Sequence, residues 1–280
     1  MEINLNQVSY RYDSHSPMLF DKINLQFKEG KVIGVVGPIG CGKTTLLELI
    51  KGMKLPTSGT IQFEEYTIGK QGILGDEKTF QSAVGFLPQF PDNKFLYDTV
   101  EKELDYVLEK CNYSPMNRNK HILQALTMVG LNESYLSRYP FSLSSGEARK
   151  LSLATILACN PKVLLLDEPI IGMDSNDKKS LVTILTTIKS RYKKIIIIAS
   201  SDVDFLSKVA DELVIMKDGK VLMYDDKKAV LKNEKVFKEA KIELPMVTKF
   251  ENYVLKKKKI QLGHRTEVND LVKDILRTLQ

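Results

Sequence analysis

Gly37, Gly40 and Gly42 are followed by Lys43 and Thr44 in the stretch "VIGVVGPIGCGKTTLLELI", which contains the spacing G-x-x-x-x-G-K-T. A β-branched, apolar run precedes the glycines and a helix-forming run follows them, the setting in which this spacing acquires meaning. The glycines let the chain curl until backbone N–H groups point inward at an anion. A helix beginning near Lys43 adds the positive end of its dipole. Lys43 is long enough to reach β- and γ-phosphates, and the Thr44 hydroxyl is a ligand for Mg2+. Pro38, Cys41 and Thr45 belong to the same cradle. The plainer alternative is a glycine-rich turn between a strand and a helix.

A second stretch, "KVLLLDEP", argues for the cradle. Asp167 ends an apolar run, where a carboxylate can hold the metal through water. Glu168 follows directly and can polarise an attacking water as general base. Either acid alone could be a helix cap or a solvated turn. Together the two stretches predict a P-loop nucleoside-triphosphate site, without choosing between ATPase, GTPase and kinase.

The elements that must position these groups follow from hydrophobic patterning. "INLNQVSYRY" alternates, imperfectly, at Ile3, Leu5, Val8, Tyr10 and Tyr12. "DKINLQFKEGKVIGVVG" reads as two strands joined at Glu29-Gly30, a hairpin signal. "PTSGTIQF" is a further turn and strand. From about Asp92 to Asn160 the spacing becomes helical, in "TVEKELDYVLEKC", "HILQALTMVGL" and "GEARKLSLATILA", with breaks at Pro115 and Pro140. "KVLLLDEP" and "KKIIIIASS" are buried strands on either side of the helix "KKSLVTILTTIKS", a βαβ unit with parallel strands. "ELVIMKDGKVLMY" closes with a hairpin turning at Asp218-Gly219. From about Glu239 a separate, charged, partly helical tail is expected.

Composition narrows the class. The 280 residues carry 41 Lys and Arg against 35 Asp and Glu, a net charge of +6. That charge is mild and compatible with simple solubility. Its densest basic patch, Lys256 to Lys259, has no aromatic ladder for stacking on bases, so no nucleic-acid partner is expected. No run approaches the roughly 18 apolar residues of a membrane span. The start "MEINLNQVSY" lacks the pattern of a signal peptide. Cys41, Cys111 and Cys159 stand far apart with no paired pattern for a metal or a disulfide, which suggests a reducing cytosol.

Between the two phosphate-site stretches lies "FSLSSGEARKLSLATILACNPKVLLLDEP", and here the sequence resembles the ABC-type ATPases, whose signature is LSGGQ. The match is Leu143, Ser144, Ser145, Gly146 and Glu147, with Ser145 in place of the first glycine and Glu147 in place of glutamine. The resemblance covers roughly residues 1–235. It implies an α/β P-loop core with an antiparallel β subdomain, a helical insertion at about 92–160 and a small C-terminal extension at 236–280. It implies ATP and Mg2+, with Tyr12 stacking on adenine and Gln89, in "GFLPQFPDNKF", meeting Mg2+ and the coupling surface. "IIGMD" resembles the family's D-loop, with Asp174 in the acidic position. Ser144 and Gly146 are implied to contact the γ-phosphate of a partner subunit, so one chain carries two half-sites. Ser144 with Glu147 also reads as a capping box at a helix start.

Within that family the closest likeness is to energy-coupling factor (ECF) transporter ATPases. "QFPDNKFLYDTVEKELDY" looks like their Q-loop segment, with Lys94 where glutamine is usual, and "VGLNESYLSRYPFSLS" and "LPMVTKFENYVLKKKKIQL" look like that group too. The resemblance implies a peripheral subunit at the cytoplasmic face of the membrane, powering uptake of a vitamin or metal ion. It further implies a second ATPase subunit, commonly unlike the first, a transmembrane coupling protein and a separate membrane substrate-binding protein. Alternatives are another ABC importer or exporter motor, a nucleic-acid ATPase, and a catalytically impaired nucleotide-binding subunit. Nucleic-acid ATPases of this family carry long coiled coils or tandem cores, and this chain has neither. Lys43, Asp167 and Glu168 argue against complete loss of catalysis.

One position departs further. The family's strand equivalent to "IIIIASSD" ends with a histidine that touches the γ-phosphate, and alignment puts Ser201 there. His15, His121 and His264 are too distant in sequence to replace it. Ser201 is expected to cap the next helix, with Asp204 three residues on, and hydrolysis at this chain's own site is expected to be slow.

Overall fold

The computed structural model describes residues 1–90, 95–258 and 271–273. Lys94, Lys259 and His264, singled out above, lie outside the described residues.

Two sheets organise the chain. The first contains β1 (Glu2–Tyr10), β2 (Phe20–Lys28), β4 (Ser58–Phe63), β5 (Tyr66–Gly69) and β6 (Gly72–Leu74), paired antiparallel in the order β2-β1-β4-β5-β6. The second contains β3 (Val32–Val36), β7 (Val84–Leu87), β8 (Val163–Asp167), β9 (Ile195–Ser200), β10 (Glu212–Lys217) and β11 (Lys220–Asp226), in the order β11-β10-β3-β9-β8-β7. All its pairings are parallel except β10 with β11. The helices are α1 (Lys43–Ile50), α2 (Glu77–Ala83), α3 (Val100–Lys110), α4 (Pro115–Met128), α5 (Ser145–Ala158), α6 (Ser175–Tyr192), α7 (Val203–Val209), α8 (Lys227–Lys232), α9 (Glu234–Ala240) and α10 (Met246–Lys258).

The second sheet is covered on both faces, which is why its central strands are apolar throughout. Ile33, Val35, Leu165, Ile197 and Val214 face a core shared with α1 and the first sheet. Val36, Leu164, Leu166, Ile196 and Ile198 face a core shared with α3 to α7 and α9. The alternation is the strand's period of two, so each central strand feeds both cores.

The structure revises three expectations and explains a fourth. β2 and β3 are not a hairpin: β2 pairs with β1, whereas β3 enters the other sheet between β9 and β10. β2 alternates in burial and suits a half-exposed antiparallel sheet; β3, buried at every residue, belongs at the centre of a parallel one. The imperfect alternation of β1 is a register shift between Leu5 and Val8, with Gln7 at φ 51°. The tail does not separate at Glu239, because Ala240 is buried and Ile242 and Leu244 pack on the helical core. Cys111 and Cys159, read as unpaired, form a disulfide. They are the C-caps of α3 and α5, and packing of those two helices joins residues that sequence spacing keeps apart.

Two lysines sit inside with carbonyl partners. Lys51 Nζ, at the C-cap of α1, donates to the carbonyls of Gln81 and Val84 at 2.7 and 2.6 Å. Lys194 Nζ, just before β9, donates to Asn160 Oδ1 at 2.8 Å and to the Pro161 carbonyl. Burial brings each ammonium down to about 8, from an ordinary value of 10.5. The folded form therefore binds these protons less tightly than the unfolded chain. The resulting penalty is complete below about pH 8 and disappears as pH rises toward about 10.5. Urea denaturation of wild type and Lys194→Met between pH 7.5 and 10 is expected to show the wild type gaining on the variant as pH rises. Parallel profiles would contradict this assignment.

Candidate functional site

β3, β9 and β8 are adjacent and parallel, with Val36 opposite Ser200 and Asp167 opposite Ala199. Their carboxyl ends therefore open on one edge of the sheet, where open α/β sheets bind ligands. The chain leaving β3 curls at Gly40 (φ 81°) and Gly42 (φ 106°) into α1. Gly42 is the N-cap of α1 and no side chain caps that helix end, which leaves N–H groups for an anion. Gly37 has no room for a side chain: a Cβ there would lie 2.4 Å from the Met216 carbonyl oxygen and 2.5 Å from Cys41 Sγ. The Cys41 thiol is buried against Gly37, and burial raises its pKa. Lys43 Nζ lies across the loop, donating to the carbonyls of Gly37 at 2.8 Å and Pro38 at 3.2 Å, 3.9 Å from Glu168 Oε1.

Asp167, at the end of β8, accepts a 2.8 Å hydrogen bond from the Thr44 hydroxyl on Oδ2. Its Oδ1 is buried with no hydrogen-bond partner among the described residues. Burial raises this carboxyl's pKa, against the Thr44 hydrogen bond. An unpaired carboxylate oxygen beside a hydroxyl is a donor set suited to a hard divalent cation. Glu168 has φ 44°, a left-handed conformation that non-glycine residues adopt rarely.

Tyr12 presents an exposed ring whose hydroxyl meets Thr45 Oγ1 at 2.7 Å, with Lys54 Nζ 5.3 Å from the ring centre. Tyr12, Gly40, Gly42, Lys43, Thr44, Thr45, Gln89, Glu168 and Ser201 all line one cleft of about 250 Å³. Pro38 lines a neighbouring cavity with Ser201 and Leu244. Neither Ser144 nor Gly146 lines the cleft. Those two open α5, where the capping box forms: Ser144 Oγ accepts from the Glu147 N–H, and Glu147 Oε2 accepts from the Ser144 N–H at 2.9 Å and its hydroxyl at 2.8 Å. Glu147 Oε1 accepts from the Tyr135 hydroxyl at 2.6 Å, with Arg138 3.9 Å away. These donors, Tyr135 first, hold the Glu147 carboxyl down at about 2. A Cβ on Gly146 would meet Asp177 Oδ2 at 2.1 Å, so the helix start packs tightly on α6. Asp174 caps α6 by accepting from the N–H groups of Asn176 and Asp177.

Ser201 does not cap α7. Asp202 does, accepting from the Phe205 N–H at 2.8 Å, while the Ser201 N–H turns to Glu168. The serine lies one residue too early for the capping position. Sequence reading also missed Arg149, a buried side chain of α5. It donates to the carbonyls of Gln89 at 2.9 Å, Pro169 at 3.0 Å and Ile171 at 2.7 Å. A basic residue on the apolar face of "GEARKLSLATILA" was the available signal, because a buried guanidinium needs several acceptors.

Residues 20–171 match the family model described as ABC transporter. The energy-coupling factor transporter ATP-binding protein EcfA2 of Staphylococcus epidermidis is 30% identical over 260 residues, covering 92% of this chain and 91% of that protein. The EcfA2 of Staphylococcus aureus is 28% identical over 274 residues, covering 97% and 94%. Among solved structures, cbiO1 of Clostridium perfringens, part of the ABC transporter complex cbiONQ, superposes with a TM-score of 0.75 at 26% identity, over 89% of this chain and 98% of that one. The ATP-binding cassette MJ0796, dimeric with ADP and Pi, shares the fold with a TM-score of 0.70 at 24% identity, over 80% and 98%.

The close approach at Gly37 generates a test of the loop. Gly37→Ala forces either the Met216 backbone or the loop to move, and overpacking of this kind costs roughly 1–3 kcal/mol. Thermal denaturation is expected to show a destabilised variant. A melting temperature equal to wild type would show that the loop has slack the geometry denies.

Proposed function

This chain belongs to the ABC transporter family, and from that premise we propose that it is the ATP-binding and hydrolysing subunit of an ECF-type importer, working as one half of an ATPase pair. The observation that carries the proposal is the cleft at the β3, β8 and β9 ends, where Lys43, Thr44, Gln89 and Glu168 converge. At about 250 Å³ it is smaller than the roughly 300–1,000 Å³ of pockets that enclose a ligand. A half-site that a second subunit completes has this character.

ATP lies with its phosphates in the curl from Gly37 to Thr44, held by backbone N–H groups and Lys43. Tyr12 offers its ring face to adenine. Mg2+ fits the donor set of Thr44 and Asp167, with Gln89 beside it; when bound it neutralises charge on the β- and γ-phosphate oxygens. Glu168 orients the attacking water and draws its proton. Pro38, Gly40, Cys41 and Thr45 shape the loop. Ser144 and Gly146 serve the phosphate of the partner's nucleotide.

The pair is proposed to be unlike. Ser144 Oγ already donates to Glu147, and that anion stands at the helix end meant for a phosphate. In a homodimer both sites would carry this feature together with Ser201; in a heterodimer each site carries one of them. The same observations favour the second reading, a subunit that binds nucleotide but turns it over slowly.

The partners are a second ATPase, a transmembrane coupling protein and a separate substrate-binding membrane protein, at the cytoplasmic face. Among the described residues no helix is long and apolar enough to cross a membrane, so membrane attachment runs through a partner. Phe90, next to Gln89 in the chain, and Leu96 are exposed, and the half-exposed Tyr139 and Phe141 form an apolar patch with Phe95, Phe141 lying edge-on to Phe95 at 5.8 Å and 5.4 Å from Tyr139. An apolar helix of the coupling protein suits that patch. Residues 1–235 carry the motor's sheets and cleft, and residues 236–280 are an extension that begins inside α9 and packs on the helical core through Ala240, Ile242 and Leu244.

Two measurements test this reading. The native mass of the ATP-bound ATPase assembly is expected to correspond to two different chains, and a fully active homodimer would refute the pairing. Ser201→His in the purified transporter is expected to raise turnover at saturating ATP about tenfold or more, since a proton-handling group is worth ~10²–10⁴ in rate. Unchanged turnover would count against Ser201 as the limiting position.

A further inference from the structure

Three consecutive residues at the end of β9 hold Glu168. Its N–H donates to the Ala199 carbonyl at 2.8 Å, which extends the β8–β9 pairing by one residue. Its Oε2 accepts from the Ser200 hydroxyl at 3.0 Å. Its Oε1 accepts from the Ser201 N–H at 2.8 Å. The Ser200 hydroxyl is itself aimed: Oγ accepts from the Asp202 N–H at 3.1 Å, which leaves its one hydrogen for Glu168. Ser200 is fully buried and Glu168 is nearly so, which shields the bond between their side chains from water.

We propose that Ser200 is a positioning residue for ATP hydrolysis, its hydroxyl fixing one oxygen of the Glu168 carboxylate while the Ser201 main chain fixes the other. The inference rests on the reading of Glu168 as general base. It explains how this chain keeps its base oriented with serine where the family resemblance implies an imidazole: orientation comes from the strand end, through Ser200 and a peptide N–H. The left-handed backbone at Glu168 turns the side chain back toward β9, and the two bonds stop it from swinging away. Each carboxylate oxygen keeps a lone pair for water. Ser201 contributes its N–H, which any residue but proline supplies, so this bond to Glu168 survives a change of side chain at 201, whereas the bond from 200 needs a hydroxyl.

The substitution to make is Ser200→Ala in the assembled transporter, with the partner ATPase's own phosphate-loop lysine replaced so that turnover reports this site. Turnover at saturating ATP is expected to fall about tenfold, while ATP affinity stays within about twofold, because Ser200 orients the base and does not touch the phosphates. Ser200→Thr restores the hydroxyl on a residue suited to a strand and is expected to recover most of the rate. Ser200→Cys, a weaker donor of similar size, is expected to fall between and keeps the test open if the alanine variant does not fold. Full turnover in Ser200→Ala, or equal losses of rate and affinity in every variant, would overturn the proposal. Glu168→Gln separates the two levels: if that variant retains wild-type turnover, the general-base reading itself fails.

Discussion

Parallel pairing of three neighbouring strands is the constraint on which the site depends. β3, β9 and β8 deliver the phosphate loop, the Ser200–Ser201 turn and the Asp167–Glu168 pair to one edge because their registers are locked by backbone hydrogen bonds. None of these groups holds the others in place alone. The lysine reaches back over carbonyls of its own loop, the aspartate binds the hydroxyl that follows the lysine, and the glutamate hangs from β9. A slip of one residue in any pairing would turn every side chain to the opposite face and scatter the site. The two apolar cores above and below the sheet make such a slip costly.

The same logic explains what was legible in the sequence. Gly37 to Thr44, Asp167 and Glu168 were readable because their residue types and their strand-to-helix setting are both local. The central strands were readable because burial on two faces removes polar residues from them. What stayed hidden depends on packing between distant segments. The β2–β3 hairpin failed because turn chemistry at Glu29-Gly30 is local, whereas the choice of sheet is decided by which faces are covered. The disulfide of Cys111 and Cys159 needs two helix ends to meet. Arg149 acts through carbonyls of two other segments, and carbonyls leave no trace in residue identity. The contact Ser201 makes with Glu168 is a peptide N–H, which residue identity does not announce.

The site is built unevenly along its two halves. The loop and the acidic pair carry every residue the proposed reading asks of them. The α5 end and the end of β9 carry the departures, Glu147 and Ser201. At α5 the departure is absorbed: Glu147 binds Ser144, Tyr135 and Arg138 and caps its own helix. Such a helix end is stable without a phosphate, which lowers the gain from receiving one. Arg149 sits between these halves, tying α5 to the Gln89 backbone and to the turn after Glu168. One buried side chain thus holds the Gln89 backbone, the acidic turn and α5 together.

Calorimetric titration of the purified chain with Mg-ATP, in parallel with Lys43→Ala, addresses the central claim most directly. One nucleotide per wild-type chain is expected, with at least tenfold weaker binding by the variant if the lysine that spans the loop meets the phosphates as proposed. Absence of binding by the wild type, or equal affinity in the two proteins, would contradict it.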